Sequence, residues 1–350
     1  MALRFVYSLL FFVQLSWAYS QPSGYYDNAQ GLAGEQMRTA LHNIIKNHNV
    51  IAYSDVWSHF PNLDKKPNGK VWDIYSDNPG GTPAYEYTLV TDQCGQYSGE
   101  GDCYNREHTV PASWYNSASP MYSDLFQVYP TDGFVNGKRS NLPYGETSGG
   151  TWMSTNGSNL GNHLLSGYSG IVFEPIDEYK GDLARTYFYM VTRYMDVVTN
   201  WTSDMFTGNT LSSWALDMLM DWDANDPVSQ KEIARNEAIY LVQNNRNPFI
   251  DNPTYVLAIW DSTYVVGLRA SRHSENRIWY ANGKLYFNKL RTYAGKVLIY
   301  NSIGQLVLSV PIKNNIFEYP LALPQGMYVI RMSNQDEKGN ILTNKFLVFR

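Results

Sequence analysis

In YNREHTVPASW (residues 104–114) a glutamate stands directly before one of six histidines in the chain, Glu107-His108. Downstream, SDLFQVYPTDGFVNGKRSN (residues 123–141) sets Asn136 and Arg139 three residues apart. An imidazole is the side chain that exchanges a proton near neutrality, and a carboxylate can hold a proton or a hard cation. A lone Glu-His pair is most often a surface pair. The second stretch is what makes a reactive centre the stronger reading.

Those residues need elements to position them. The apolar run Leu125 to Tyr129 reads as a strand that meets Pro130, and Thr131 is a good N-cap for a short helix. On that helix Asn136 and Arg139 share a face. The order is strand, long loop, strand, helix, with Glu107 and His108 on the first strand. Neighbours on a regular strand point to opposite faces, so a shared site predicts a twist or bulge at Glu107-His108. Pro111 would help to end the strand.

Together the two stretches resemble the active-site core of the secreted endonuclease I family, nucleases with the ββα-metal fold. NNRNPFIDNP (residues 244–253) resembles that family's closing segment, and the similarity spans roughly 32–260. The resemblance implies that His108 is the general base on water and that Glu107 and Asn136 are the protein ligands of a divalent metal. Mg²⁺ is the expected ion, with Mn²⁺ and Ca²⁺ as alternatives. Arg139 is a candidate phosphate contact, and Asp124 matches an acidic position without a clear role. The chemistry agrees, because phosphodiester hydrolysis needs a base for water and a Lewis acid for the phosphate and the departing O3′. A 5′-phosphate product would follow. Two departures stand out. Phe126 lies where relatives often carry histidine, and an additional phosphate-binding arginine of some relatives has no counterpart, leaving that task to Arg139 or Arg106.

Elsewhere, Leu32, Met37, Leu41, Ile44 and Ile45 recur at helical spacing between Ala29 and His48. GDLARTYFYMVTRYMDVV from Gly181 and VSQKEIARNEAIYLVQNNR from Val228 show the same spacing, the latter with Asp226-Pro227 as a start signal. Residues 71–81 read as strand-like into a Gly/Pro turn, and 86–90 as a short strand. The fold class is α+β: a nuclease core flanked by helices, followed by a small all-β sandwich. His42, His48, His59, His163 and His273 read as packing or surface residues. Arg185 and Arg193, on one helix, would face either a substrate groove or neighbouring acids.

The ends speak to location. Arg4 precedes the apolar run FVYSLLFFVQLSWA, followed by small residues, which reads as a signal peptide over residues 1–20. No later segment has the length of a membrane span. Cys94 and Cys103, the only cysteines, suit a disulfide in an exported chain; free thiols or metal binding by two cysteines are the alternatives. Residues 21–275 carry 16 Lys and Arg against 29 Asp and Glu, a net of −13, whereas 276–350 carry 10 against 3, a net of +7. That shift predicts a nuclease domain over 21–275 and a separate domain over 276–350. The acidic body argues against a protein that clings to nucleic acid through a broad basic surface. Local cations at Arg106, Lys138 and Arg139 would serve the phosphate instead.

The tail reads as short strands with Gly304 and Gly326 at turns. GKVLIYNSIGQLV, LPQGMYVIRM and KFLVF, in that order, resemble the C-terminal sorting domain of type IX secretion cargo. A ligand-binding or capping β-sandwich is the alternative. The expected protein is a secreted or cell-surface, monomeric, metal-dependent endonuclease cutting DNA and RNA, with the secretion machinery as partner. The rival readings are a catalytically silent exported binding protein and a phosphodiesterase for a small substrate.

Overall fold

In the computed structural model the described residues are 21–261, followed by strands within 277–348 and the short connections 304–305, 321 and 323–324. The chain divides into two compact units, Met1–Ser262 and Thr263–Arg350. The export signal over 1–20, the boundary at 275/276 and His273 lie outside the described residues.

The first unit is α+β. Its helices are α1 (Gly34–Ile45), α2 (Val56–Leu63), α3 (Gly133–Arg139), α4 (Lys180–Arg193), α5 (Ser213–Asn225), α6 (Gln230–Gln243), α7 (Pro248–Asp251) and α8 (Thr254–Trp260). Its strands are β1 (Tyr104–His108), β2 (Val128–Asp132), β3 (Trp152–Met153), β4 (Asn159–Asn162), β5 (Ile171–Glu174), β6 (Phe206–Thr207) and β7 (Thr210–Leu211). β1 pairs antiparallel with β2, β4 sits between β3 and β5, and β6 pairs with β7.

α4 is the centre of the core, with every residue from Lys180 to Arg193 buried. Leu183, Tyr187, Phe188, Met190 and Val191 supply its apolar contacts. A helix buried on all sides must also satisfy its polar residues. Arg185 does so against Asp223 (2.9 Å) and Glu232 (2.5 Å) from α5 and α6. α1 presents Met37, Leu41 and Ile45 inward, the expected i, i+4 stripe.

α6 begins at a capping box in which the Ser229 side chain receives the Glu232 N–H, and the Glu232 side chain receives that of Ser229. The start signal is therefore Ser229, three residues past Asp226, which instead caps the end of α5. The strands expected over 71–81 and 86–90 are absent. Only the isolated bridges Lys65↔Val71 and Lys70↔Thr88 form there, because the Asp73 carboxylate captures the Tyr75 N–H (2.8 Å) and the Ser76 hydroxyl (2.7 Å) and turns the chain. Cys94 and Cys103 are disulfide-bonded, closing the loop that leads into β1.

The second unit carries two antiparallel sheets: β8 (Arg277–Ala281), β9 (Lys284–Asn288) and β12 (Glu318–Pro320) in one, β10 (Gly295–Asn301), β11 (Leu306–Ile312), β13 (Gly326–Asn334) and β14 (Leu342–Val348) in the other. In the latter Ile299 faces Ile330 across the β10–β13 ladder, and both are buried. Gly304 holds a turn at φ +79°, whereas Gly326 opens a strand. No helix among the described residues is long and apolar enough to cross a membrane.

Candidate active site

β1, β2 and α3 bring the two sequence stretches together. Glu107 pairs with Tyr129 and His108 with Val128, and the register runs unbroken from Tyr104 to His108. Of the twist or bulge expected at Glu107-His108, no bulge is formed. The neighbours have separate partners, yet both border one cleft of about 400 Å³ with Arg106, Asn136, Arg139 and Ser140. They can share it because His108 is the last residue of the strand, where the chain turns away.

β2 starts at Val128, later than the apolar run suggests, and carries Pro130 inside it opposite Arg106. Proline is tolerated because β2 has a partner on one side only. The helix N-cap is Asp132, not Thr131: its side chain accepts from the Val135 N–H at 2.9 Å. Its other oxygen accepts from Tyr85 (2.8 Å), Tyr87 (2.6 Å) and the Gly101 N–H (2.9 Å). Gly133 and Gly137, one turn apart on α3, leave room for the Tyr97 ring, which an added methyl would meet at 2.6 and 2.9 Å. The disulfide loop thus packs on the helix that carries Asn136.

Glu107 is buried, and three side chains converge on one of its oxygens. Oε1 receives the Tyr75 hydroxyl at 2.8 Å and the Tyr144 hydroxyl at 3.4 Å, and lies 2.9 Å from Arg139 Nη1. No side chain among the described residues donates to Oε2. Burial pushes the carboxyl above its usual range, while Arg139 and then the tyrosines pull it back. Asn136 has a matching arrangement: Nδ2 donates to the Arg106 carbonyl at 3.4 Å, and Oδ1 accepts nothing among the described residues. One carboxylate and one amide oxygen thus border the cleft with acceptor capacity to spare.

His108 is half-buried and stacked on Tyr122, with ring centroids 4.8 Å apart and planes 9° from parallel; Tyr53 lies beyond at 5.5 Å. Its Nε2 lies 2.9 Å from the Tyr122 carbonyl oxygen. A carbonyl can only accept, so Nε2 carries the proton and Nδ1 is left as the basic nitrogen. Burial, helped by Arg106 and Arg139, pulls the ring pKa down to about 4 against the Tyr122 hydrogen bond. The ring is therefore neutral at ordinary pH.

Arg139, expected at a phosphate, is buried and its guanidinium is engaged: besides Glu107 it donates to the carbonyls of His108 (2.8 Å) and Thr109 (2.5 Å) and lies over the Tyr144 ring. It fixes the end of β1. Arg106 is the more available cation at the cleft, with Nη1 on the Tyr53 carbonyl and the guanidinium stacked 3.8 Å from the Tyr53 centroid and 4.6 Å from that of Trp57. Lys138 is exposed beside Phe134 and Trp152.

Asp124 is structural: it accepts from Tyr189 (2.8 Å), Tyr194 (2.7 Å), Gln243 and the Phe126 N–H. Phe126 packs on Tyr189 in the core. In the closing segment Asn245 bonds Tyr189 and Asn247 caps α7, so it buttresses the core. Tyr75, Tyr144 and Asp132 escaped the sequence reading; in a chain of 28 tyrosines nothing local marks the two that matter.

Among the described residues no group of three or more His, Cys, Asp and Glu is placed to hold a metal ion. A hard cation that keeps several waters needs fewer protein ligands.

The family model described as Endonuclease I matches residues 33–254. An extracellular ribonuclease of Bacillus subtilis (strain 168) is 32% identical over 260 residues, covering 72% of this chain and 84% of that protein. An extracellular ribonuclease of Bacillus amyloliquefaciens is 34% identical over 260 residues, covering 71% and 83%. An extracellular deoxyribonuclease of Aeromonas hydrophila is 27% identical over 169 residues, covering 48% and 62%.

Proposed function

The chain belongs to the endonuclease I family, and from that premise we propose that this secreted nuclease hydrolyses RNA and DNA with His108 as general base and a divalent cation, Mg²⁺ in the first instance, held by Glu107 and Asn136. Extracellular ribonucleases and an extracellular deoxyribonuclease among its relatives support both the location and the two substrates. β1, β2 and α3 would then be the strands and helix of a ββα-metal core.

The observation that carries the mechanism is the Tyr122 carbonyl on His108 Nε2. It leaves Nδ1 to take a proton from water and would stabilise the imidazolium that results. Tyr122 and Tyr53 hold the ring in plane, so water is met by a base whose orientation is already set. The donor set fits a hard cation, because Glu107 and Asn136 are each tied down through one atom and offer another oxygen. When bound, such an ion supplies Lewis-acid stabilisation of the phosphate and the leaving O3′. Arg139, with Tyr75 and Tyr144, orients Glu107, and Arg106 is the cation we assign to the substrate phosphate.

The cleft is bordered by exposed Ser113, Ser140 and Asn141, which favours a polymer over a small enclosed phosphodiester. We assign residues 21–275 to the nuclease and the C-terminal sheets to export through the type IX machinery, on the strength of the tail's motif order. The test is incubation of the purified protein with plasmid DNA and with RNA, with Mg²⁺, Mn²⁺, Ca²⁺ or EDTA. Cleavage that requires a divalent ion is expected; cleavage undiminished in EDTA would refute metal dependence.

A further inference from the structure

A larger cavity, of about 510 Å³, lies away from His108. Its buried aromatic residues are Tyr115, Tyr194 and Trp201, with ring centroids of Trp201 5.7 Å from Tyr115 and 6.3 Å from Tyr194; Lys46 and exposed Asp196 also line it. Arg193 is the unusual member. Its side chain is 7% exposed, and its Nε donates to His48 Nδ1 at 3.0 Å. Among the described residues no carboxylate pairs with it and nothing accepts from its terminal nitrogens. The Tyr194 ring under it (4.5 Å) and the end of α4 offset part of the charge, but neither is an anion. Arg185, two turns earlier on the same helix, has two carboxylates within 2.9 Å.

A guanidinium that has no carboxylate partner and whose terminal nitrogens reach the cavity favours an anion from outside. Lys46, whose ammonium bonds only Asn43 among the described residues, adds a second positive charge. Two unpaired cations against one carboxylate, in a body of net charge −13, make this pocket locally attractive to phosphate. Its position matters as much. The 3-10 turn Ala112–Tyr115 has Ala112 and Ser113 at the His108 cleft and Tyr115 at this pocket. Ala112 to Tyr115 is three steps of about 2 Å, roughly 6 Å of turn, so one short element joins the two sites.

We propose that this cavity is a nucleotide subsite for the substrate strand, in which Arg193 and Lys46 hold a backbone phosphate near the cleavage point and an unpaired base rests against the Tyr115–Trp201 floor. The proposal rests on the nuclease reading and adds a specificity to it. A base must leave its duplex to enter, so single strands and RNA loops are favoured over paired DNA.

The test uses the full chain with Lys46→Ala, Arg193→Met and, because losing Arg193 also removes its His48 bond, Ala118→Tyr, which fills the pocket from an exposed position. Thermal melting verifies folding. Anisotropy of a labelled single-stranded oligonucleotide is read in a His108→Ala background, and single-strand against duplex cleavage rates with His108 intact. Each pocket variant is expected to weaken single-strand binding and to lower the single-strand to duplex rate ratio by about tenfold, the scale of one lost charged hydrogen bond or one stacked base. Unchanged affinity and ratio in folded variants would overturn the subsite while leaving a cleaving enzyme in place. Full displacement of the oligonucleotide from the pocket by inorganic phosphate alone would also overturn it, in favour of a free-anion site. A wild-type protein that cleaves nothing would overturn the nuclease reading, and the anisotropy would still decide the pocket.

Discussion

Glu107 Oε1 lies 2.9 Å from Arg139 Nη1, with both side chains at most 2% exposed. An arginine adjacent in sequence to the site's helix face is thus a partner of the acid, and Arg139→Met would leave Glu107 buried without its counter-charge. Loss of one member of a buried pair costs about 3–5 kcal/mol. Urea unfolding of Arg139→Met should show a drop on that scale, together with loss of cleavage. A variant as stable as the parent would mean that Arg139 serves the substrate and not Glu107.

The hydroxyls of Tyr75 and Tyr144, 2.6 Å apart, both reach the same oxygen of Glu107. Groups that orient a metal ligand alter metal affinity by about 10–100-fold when removed, at a stability cost of roughly 1–3 kcal/mol for a buried unpaired partner. Tyr75→Phe is therefore expected to raise the divalent ion concentration needed for half-maximal cleavage. A metal titration superimposable on wild type would show that this contact only packs the core.

Stability should fall as pH rises toward 7, through a group remote from the chemistry. Burial, with Asp182 nearby, pushes the Asp226 carboxyl up to about 7. The unfolded chain titrates near 4, so between about pH 4 and 7 the folded form binds more protons. The stability Asp226 contributes is fully present below pH 4 and is lost as pH rises through 7. Asp226→Asn keeps an acceptor for the Gly181 N–H and should flatten the pH dependence of urea midpoints. An unchanged slope would assign the dependence elsewhere.

The central constellation was legible because its members are local: Glu107, His108, Asn136 and Arg139 lie on two stretches that pair as neighbouring strands and a following helix. What was not legible comes from afar. Tyr75, Tyr144, Tyr85 and Tyr87 reach Glu107 and Asp132 from segments up to 47 residues away, and their type is common in this chain. The twist or bulge expected at Glu107-His108 rests on alternation alone, which does not register that a strand's last residue can border a cleft from its end. The true N-cap is Asp132, the stronger capping type, but Thr131 directly before it is also a capping residue and the sequence alone does not say which of the two the helix uses. Helices α1, α4 and α6 followed from apolar spacing, whereas the short strands β3 to β7 are too brief for any period to emerge.

The most direct measurement is the single-turnover cleavage rate of His108→Ala against wild type, at saturating Mg²⁺ on the same nucleic acid, with melting curves showing that both are folded. General-base catalysis contributes about 10²–10⁴-fold, so the variant should fall by at least about a hundredfold while keeping its melting temperature. A folded His108→Ala protein cleaving within a few-fold of wild type would contradict the account, because the nitrogen held ready by the Tyr122 carbonyl would then have no part in the reaction.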